Sequence, residues 1–248
     1  MLASELAAQG GKINSVKMTP RTFSESDYCN QKRVSCIKFH PTKPFLVAMS
    51  MIESLKFAER AAISGMSFDS NVLIMNFSDN HIITLAYVLE TPIEVSTIEF
   101  HPENPNVIIG GCLNGQTIVW DLSSADHKIT AGAKQKADGG GGGGDDDDMP
   151  AAAGGEEDEK QQTVVKMKHL CQSSIIASHK NFVADIVFVP GTTNVDKRNP
   201  SDGKSTHFLS VSEDGIINIW DTRQVDKEQL KKTPEYIWKP FLRMDVFK

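Results

Sequence analysis

Hydrophobic and polar positions alternate along this chain in short runs separated by turn residues, and three stretches can be laid over one another. The first begins with Val34, Cys36 and Phe39, closes on His40-Pro41, resumes at 45–50 and reaches a third run at 71–77. The second begins with Val95, Ile98 and Phe100, closes on His101-Pro102, resumes at 107–111 and ends at Trp120-Asp121. The third occupies 183–188, closes on Pro190, resumes at 208–212 and ends at Trp220-Asp221. Short runs rich in β-branched and aromatic residues, bounded by Gly, Pro and Asn, signal strands. Each stretch therefore predicts strand, Pro-containing turn, strand, tight turn, strand. Residues 82–89 predict an outer fourth strand for the first unit, and 170–178 for the second. Alternation is imperfect in the opening strand. Continuous apolar runs such as 107–109 predict strands buried on both faces between stacked sheets.

The turns narrow the reading. Asn114-Gly115 and Asp214-Gly215 stand between the second and third runs of their units, and both residues of such a pair accept the positive φ that a tight hairpin needs. A repeated hairpin that ends in Trp-Asp predicts a propeller blade. The first unit has Met75-Asn76 where the others have Trp-Asp, so it predicts a degenerate blade. The expected fold is all-β: a partial WD-repeat β-propeller of about three blades with a disordered Gly/Asp-rich insertion. Propellers close with about four to eight blades, which makes a fragment of a longer protein the expectation. The units are longer than the ~40–45 residues of a compact blade, and the excess lies at 52–70, at 191–206 and after Trp120-Asp121. The expected organisation is a weakly structured leader at 1–30, two blades at 31–122, and the insertion at 123–163. Residues 164–248 then supply the outer strand of the second blade, a third blade and the start of the next.

Charge adds one point. Within the insertion, residues 138–160 hold Asp138, Asp145, Asp146, Asp147, Asp148, Glu156, Glu157, Asp158 and Glu159 against Lys160, a net −8, while the whole chain is −6. Everything outside 138–160 is therefore about +2, and the acidity belongs to one segment that also contains six consecutive glycines, 139–144. Such a segment cannot bury enough apolar surface to offset its ordering entropy, which predicts disorder. No basic stripe supports nucleic-acid binding. Cys29, Cys36, Cys112 and Cys171 are widely spaced without a C-x-x-C pair, and no run suggests a signal peptide or a membrane span. A reduced, intracellular protein without membrane attachment is expected.

His179, Ser210 or Ser212, and Asp214 resemble a Ser/His/Asp catalytic set. There is no G-x-S-x-G elbow and no Gly-rich oxyanion loop beside them. With Trp220 they instead predict a buried hydrogen-bond chain, from Trp to Ser to Asp to His, that locks the inner strands of the third blade. At the equivalent places the second unit has Thr91 and Asn114, and the first has Asn30 and Met75-Asn76, so those blades are expected to rely on apolar packing. Trp120, Asp121, Asn114, Gly115, Trp220 and Asp221 are the blade signature. His40 and His101 are expected to lead into turns, and the aspartate run lacks the Gly and final Glu of a calcium loop. No catalytic residue, cofactor, metal or small-molecule substrate is expected.

The residues around these motifs resemble the WD-repeat half of axonemal dynein intermediate chains. The likeness rests on residues 34–42, on 55–60 in the first-blade loop, and above all on 105–116, which contains Asn114-Gly115-Gln116. Residues 173–180 followed by 183–186 extend it. A particular similarity is to the intermediate chain of the two-headed inner-arm dynein. The resemblance implies a non-enzymatic scaffold in the cytoplasm and the axoneme of a cilium or flagellum. Its propeller would bind a dynein heavy chain, alongside other intermediate and light chains, in motor assembly and motility. An adaptor outside cilia, of ubiquitin-ligase or chromatin type, is the alternative.

Overall fold

A computed structural model of the chain describes residues 23–123, 164–225 and 236–247 together with Leu230, apart from 25, 64, 65, 67, 69, 80 and 81. The predicted insertion, beyond Ser123, and most of the leader lie outside the described residues. After a single helical turn, α1 (Ser26–Cys29), the chain forms β1 (Lys32–Phe39), β2 (Leu46–Glu53), β3 (Ser70–Asn76) and β4 (Thr84–Thr91), an antiparallel meander that is the first blade. The loop from β2 to β3 holds a short helix, α2 (Phe57–Ala62). The second blade opens with β5 (Val95–Phe100), β6 (Val107–Cys112) and β7 (Thr117–Asp121).

The strands that follow the insertion differ from the expectation. β8 (Val165–Met167) does not join the second blade; it pairs in parallel with β4 as a fifth strand on the first, with Tyr87 opposite Val165 and Leu89 opposite Met167. The reason is local. The outer edge of β4 offers unpaired backbone groups, and Met167 is buried in the core between the first two blades. The second blade's own outer strand is only β9 (Cys171–Gln172), two residues where 170–178 was expected, because 175–177 bend into a turn. The third blade comprises β10 (Val183–Phe188), β11 (His207–Ser212), β12 (Ile216–Asp221) and β13 (Leu242–Asp245). Here too the end of the chain departs from expectation: β13 pairs with β12 as the fourth strand of that blade and starts no further one.

Side-chain alternation explains the stacking. On β6 and β7, Ile108, Ile118 and Trp120 point into the core shared with the first blade, whereas Ile109 and Val119 point into the core shared with the third. All five are essentially inaccessible to solvent. This is the period-two geometry of a strand buried on both faces, and it is why 107–109 shows no polar alternation. Trp120 and Trp220 thus each pack against the preceding blade. Met75, at the same register position in the first blade, is buried with Leu73, Met51 and Val88, and Tyr28 and Cys29 pack against that cluster.

Candidate functional site

The third blade contains the most complete polar arrangement. The Trp220 indole N–H donates to Ser210 Oγ at 2.8 Å, and Ser210 Oγ lies 2.8 Å from His179 Nε2. His179 Nδ1 is 3.2 Å from one Asp214 oxygen and 3.3 Å from the other. The Asp214 carboxylate also accepts the backbone N–H groups of Lys180 at 2.9 Å and Ile216 at 3.1 Å. One proton arrangement satisfies every bond: indole to hydroxyl, hydroxyl to Nε2, and Nδ1–H to carboxylate. That requires a neutral imidazole. Burial lowers the His179 pKa in spite of the Asp214 charge. Burial alone would raise Asp214, yet the donated N–H groups and His179 hold its carboxyl below the usual value.

The order of the chain is Trp, Ser, His, Asp, with the histidine between the hydroxyl and the carboxylate and not at its end. Ser212 takes no part; its Oγ accepts only a long 3.5 Å contact from the Asp214 N–H. Ser210 has no solvent exposure and its oxygen already receives the indole, so this hydroxyl has no approach for a substrate. The set ties β11, β12 and the segment before β10 together.

Asn114-Gly115-Gln116 forms a second polar cluster. Asn114 Oδ1 accepts the Gln116 N–H at 3.1 Å, and the amides of Asn114 and Gln172 donate to Gln116 Oε1 at 2.6 and 3.0 Å. The Gln116 amide donates to the Ser173 carbonyl, and Ser173 Oγ accepts the Thr117 N–H at 2.8 Å. Gly115 has φ +87°, and a β-carbon there would lie 2.2 Å from the His179 carbonyl oxygen. The His179 N–H in turn donates to the Gly115 carbonyl at 3.1 Å. Glycine is therefore required twice over, by its backbone conformation and by the approach of His179. The hairpin and the third-blade lock, separate in sequence, are contiguous.

The second blade uses its tryptophan differently. Gly110 occupies the register position of Ser210, with the Trp120 ring against it, and the indole donates to the Glu90 carbonyl of the first blade at 3.3 Å. Thr91 bonds only locally, to Ile93. Asp121 accepts the Ser123 N–H at 2.8 Å, while Asp221 is held by the Arg223 guanidinium at 2.7 Å. The turn role of the other histidines is evident: Nδ1 of His40 accepts the N–H of Lys43, and Nδ1 of His101 that of Asn104, both at 3.0 Å.

Several structural residues left little trace in the sequence. Trp238 is fully buried, 4.8 Å from the Trp220 ring, though no repeat position announces it. Arg60 on α2 grips the buried Glu94 carboxylate with two bonds of 3.1 Å, and Glu94 also accepts the Glu53 N–H at 2.7 Å. This ion pair pins the β2–β3 loop to the corner between β4 and β5. Beside it, a groove of about 560 Å³ crosses the loop face of all three blades, lined by Ile63, Ile93, Leu113, Ile175, Phe182 and Lys180 among others. Ile175 and the neighbouring Ile176 are strongly exposed. Among the described residues no His, Cys, Asp and Glu cluster is able to hold a metal ion, and no helix is long and apolar enough to cross a membrane.

The sequence model of the dynein axonemal intermediate chain 3 WD40 domain covers residues 18–241. The chain belongs to this family. It is similar to human dynein axonemal intermediate chain 3, with 25% identity over 99% of the chain and 28% of that protein. The Macaca fascicularis protein of that name is 26% identical over the same shares. The mouse protein is 26% identical over 90% of the chain and 24% of its own length. The chain thus spans about a quarter of the relatives it matches. Membership in this family agrees with the resemblance to axonemal dynein intermediate chains read from the sequence and gives the three stacked sheets their place as part of a WD40 propeller.

Proposed function

We propose that this chain is the WD40 portion of a non-enzymatic scaffold subunit of axonemal dynein, of the inner-arm type, in a cilium or flagellum. Its propeller binds a dynein heavy chain, and through it the motor is assembled with other intermediate and light chains to support motility. The observation that supports this most is the family match over residues 18–241. The structure adds a physical rationale. The polar set of the third blade is buried, and the groove on the loop face sets Ile63, Leu113 and Phe182 among Asn114, Lys180 and Glu213, beside exposed Ile175 and Ile176. An exposed apolar patch with a polar rim is the kind of surface that partners cover. The His179, Ser210, Asp214 and Trp220 network holds that surface in shape.

Co-sedimentation with isolated axonemes tests the reading. The full-length protein should resist detergent and leave with dynein at high salt. Recovery only in nuclear or soluble fractions would defeat it and would favour an adaptor outside cilia. Ile175→Asp with Ile176→Asp should weaken heavy-chain binding at least about tenfold, a hot-spot effect, while leaving the fold unchanged.

A further inference from the structure

Lys-Arg occurs twice in this chain, each time ahead of a serine: Lys32-Arg33-Val34-Ser35 and Lys197-Arg198-Asn199-Pro200-Ser201. Serine kinases with an acidic substrate groove read cations a few residues before the hydroxyl and bind that stretch in extended form. The motif by itself does not separate the two serines. Their surroundings do.

Ser35 belongs to β1, where its neighbours Val34 and Cys36 pair with Met51 and Ser50 of β2. Its hydroxyl donates to the Val95 carbonyl at 3.0 Å and lies 2.7 Å from Ser50 Oγ. A kinase would have to pull β1 out of the blade to reach it. Ser201 lies instead in the connection from β10 to β11, and 197–201 belong to no helix or strand. Lys197, Arg198, Asn199 and Pro200 are all exposed, and Pro200 biases Asn199 toward extended backbone. Arg223 holds the Asn199 carbonyl at 3.0 Å, but this bond is exposed, so water replaces it readily when it opens.

The Ser201 hydroxyl is itself lightly held. The residue is half-buried, and Oγ donates to the Gly191 carbonyl at 3.2 Å, at the long end for an O–H donor. The Ser201 carbonyl accepts the Lys204 N–H at 3.0 Å. Between them Asp202 and Gly203 have φ +50° and +80°, the signs of a tight turn that sets its first and fourth residues side by side. Exposed Lys204 therefore stands across the turn from Ser201.

We propose that Ser201 is a phosphorylation site for a serine kinase that reads Lys197 and Arg198. In that step Ser201 Oγ attacks the γ-phosphorus of ATP. The Oγ–P bond forms as the bond from that phosphorus to the oxygen bridging the β-phosphate breaks. ADP leaves, and the hydroxyl proton passes to the kinase's base. The product carries a charge of about −1.5 to −2 and only acceptor oxygens toward its neighbours. It therefore loses the bond to the Gly191 carbonyl and gains Lys204 as a cation partner. The connection from β10 to β11 lies at the end of the stack away from the groove, beside the β5–β6 turn, where Glu103 accepts the Ser205 N–H at 3.0 Å. The site is thus independent of which partner the loop face takes.

The test treats the full-length protein with ATP and the catalytic subunit of cyclic-AMP-dependent protein kinase, with phosphate mapped by mass spectrometry. Free peptides of residues 30–40 and 192–206 give the rate for each serine without the fold. Ser201 in the folded protein should be labelled within about tenfold of its peptide, whereas Ser35 should lag its peptide by at least about a hundredfold, because a strand opens far less often than a loop. Ser201→Ala should remove the label and Ser201→Thr should keep it. No phosphate at Ser201 in the folded protein, whatever the peptide does, would overturn the proposal. Labelling of Ser35 at the rate of its peptide would overturn the distinction between strand and loop on which it rests.

Discussion

Ser210→Ala removes one oxygen and orphans two buried groups. The Trp220 indole N–H loses its acceptor and His179 Nε2 loses its donor, and neither ring has room for water to replace the hydroxyl, since Trp220 is fully buried and His179 is 2% exposed. An unsatisfied buried polar group costs about 1–3 kcal/mol. Part of this is offset because the hydroxyl itself no longer needs desolvation, so the expected loss is about 2–4 kcal/mol. Ser212→Ala is the internal control. It removes the same atom two residues away on the same strand, from a half-buried site with one 3.5 Å contact, and should change stability by less than about 0.5 kcal/mol. Urea unfolding followed by circular dichroism separates the two. With a slope of about 2–3 kcal/mol per molar, Ser210→Ala should lower the midpoint by about 1 M, and Ser212→Ala should leave it in place. A cycle with Trp220→Phe should show coupling above about 0.5 kcal/mol. Equal midpoint shifts for the two serines, or no coupling, would refute the order Trp, Ser, His, Asp.

Other predictions address different parts of the stack. Gly115→Ala should cost at least about 1–3 kcal/mol, read as a lowered melting temperature, because both φ and the His179 carbonyl oppose a β-carbon. Arg60→Ala leaves the Glu94 carboxylate buried with one remaining donor; with Arg60 itself 27% exposed, the loss should be about 1–3 kcal/mol, below that of a fully buried pair, by the same melting assay. Trp238→Ala should cost about 3–5 kcal/mol, as for other fully buried aromatic deletions, although no repeat pattern marks the residue. Acid should destabilise the chain in two stages. Burial lowers the pKa of His179, and likewise of His40 and His101, so the unfolded chain binds those protons first and stability present above about pH 6.5 falls as pH drops below it. The depressed Asp214 carboxyl adds a further loss near and below its ordinary value of 3.8. A urea midpoint that is flat from pH 7.5 to 5.5 would contradict this. Burial pushes Cys112 up to about 12 and Cys171 up to about 11, so a thiol reagent at neutral pH should label the half-buried Cys29 and Cys36 well before either.

The inner three strands of each blade were legible because their signals are local. Period-two runs, Pro-containing turns and Asn-Gly or Asp-Gly pairs act over a few residues, and β5 and β10 begin and end where the pattern places them. For the third-blade lock the sequence offered both Ser210 and Ser212, and the hydrogen bonds run through Ser210 alone. The order was not legible either, because the position of His179 between Ser210 and Asp214 is set by how the segment before β10 folds over the blade. The fourth strands were read poorly for a physical reason. They are short, they follow long loops, and β8 chooses between two sheet edges on grounds of packing at Met167 that no sequence period expresses. Ser35 with Ser96, and His40 with His101, stood in the sequence as repeated residues. Their contacts across blades, with the Val95 and Val183 carbonyls and the Phe100 and Phe188 rings, emerge only when the sheets are stacked.

The same stacking gives a static account of how such a chain could serve as a scaffold. Side chains on both faces of the second blade are buried against its neighbours, the β2–β3 loop is pinned by Arg60 and Glu94, and the loop face is left as a groove of mixed apolar and polar lining on a firm base. A surface held in shape before binding loses less entropy when a partner arrives. The most direct measurement is amine cross-linking of whole isolated axonemes, mapped by mass spectrometry at Lys180, which lines that groove. The account predicts a link from Lys180 to a dynein heavy chain. Links from Lys180 solely to proteins outside the dynein complex would contradict it.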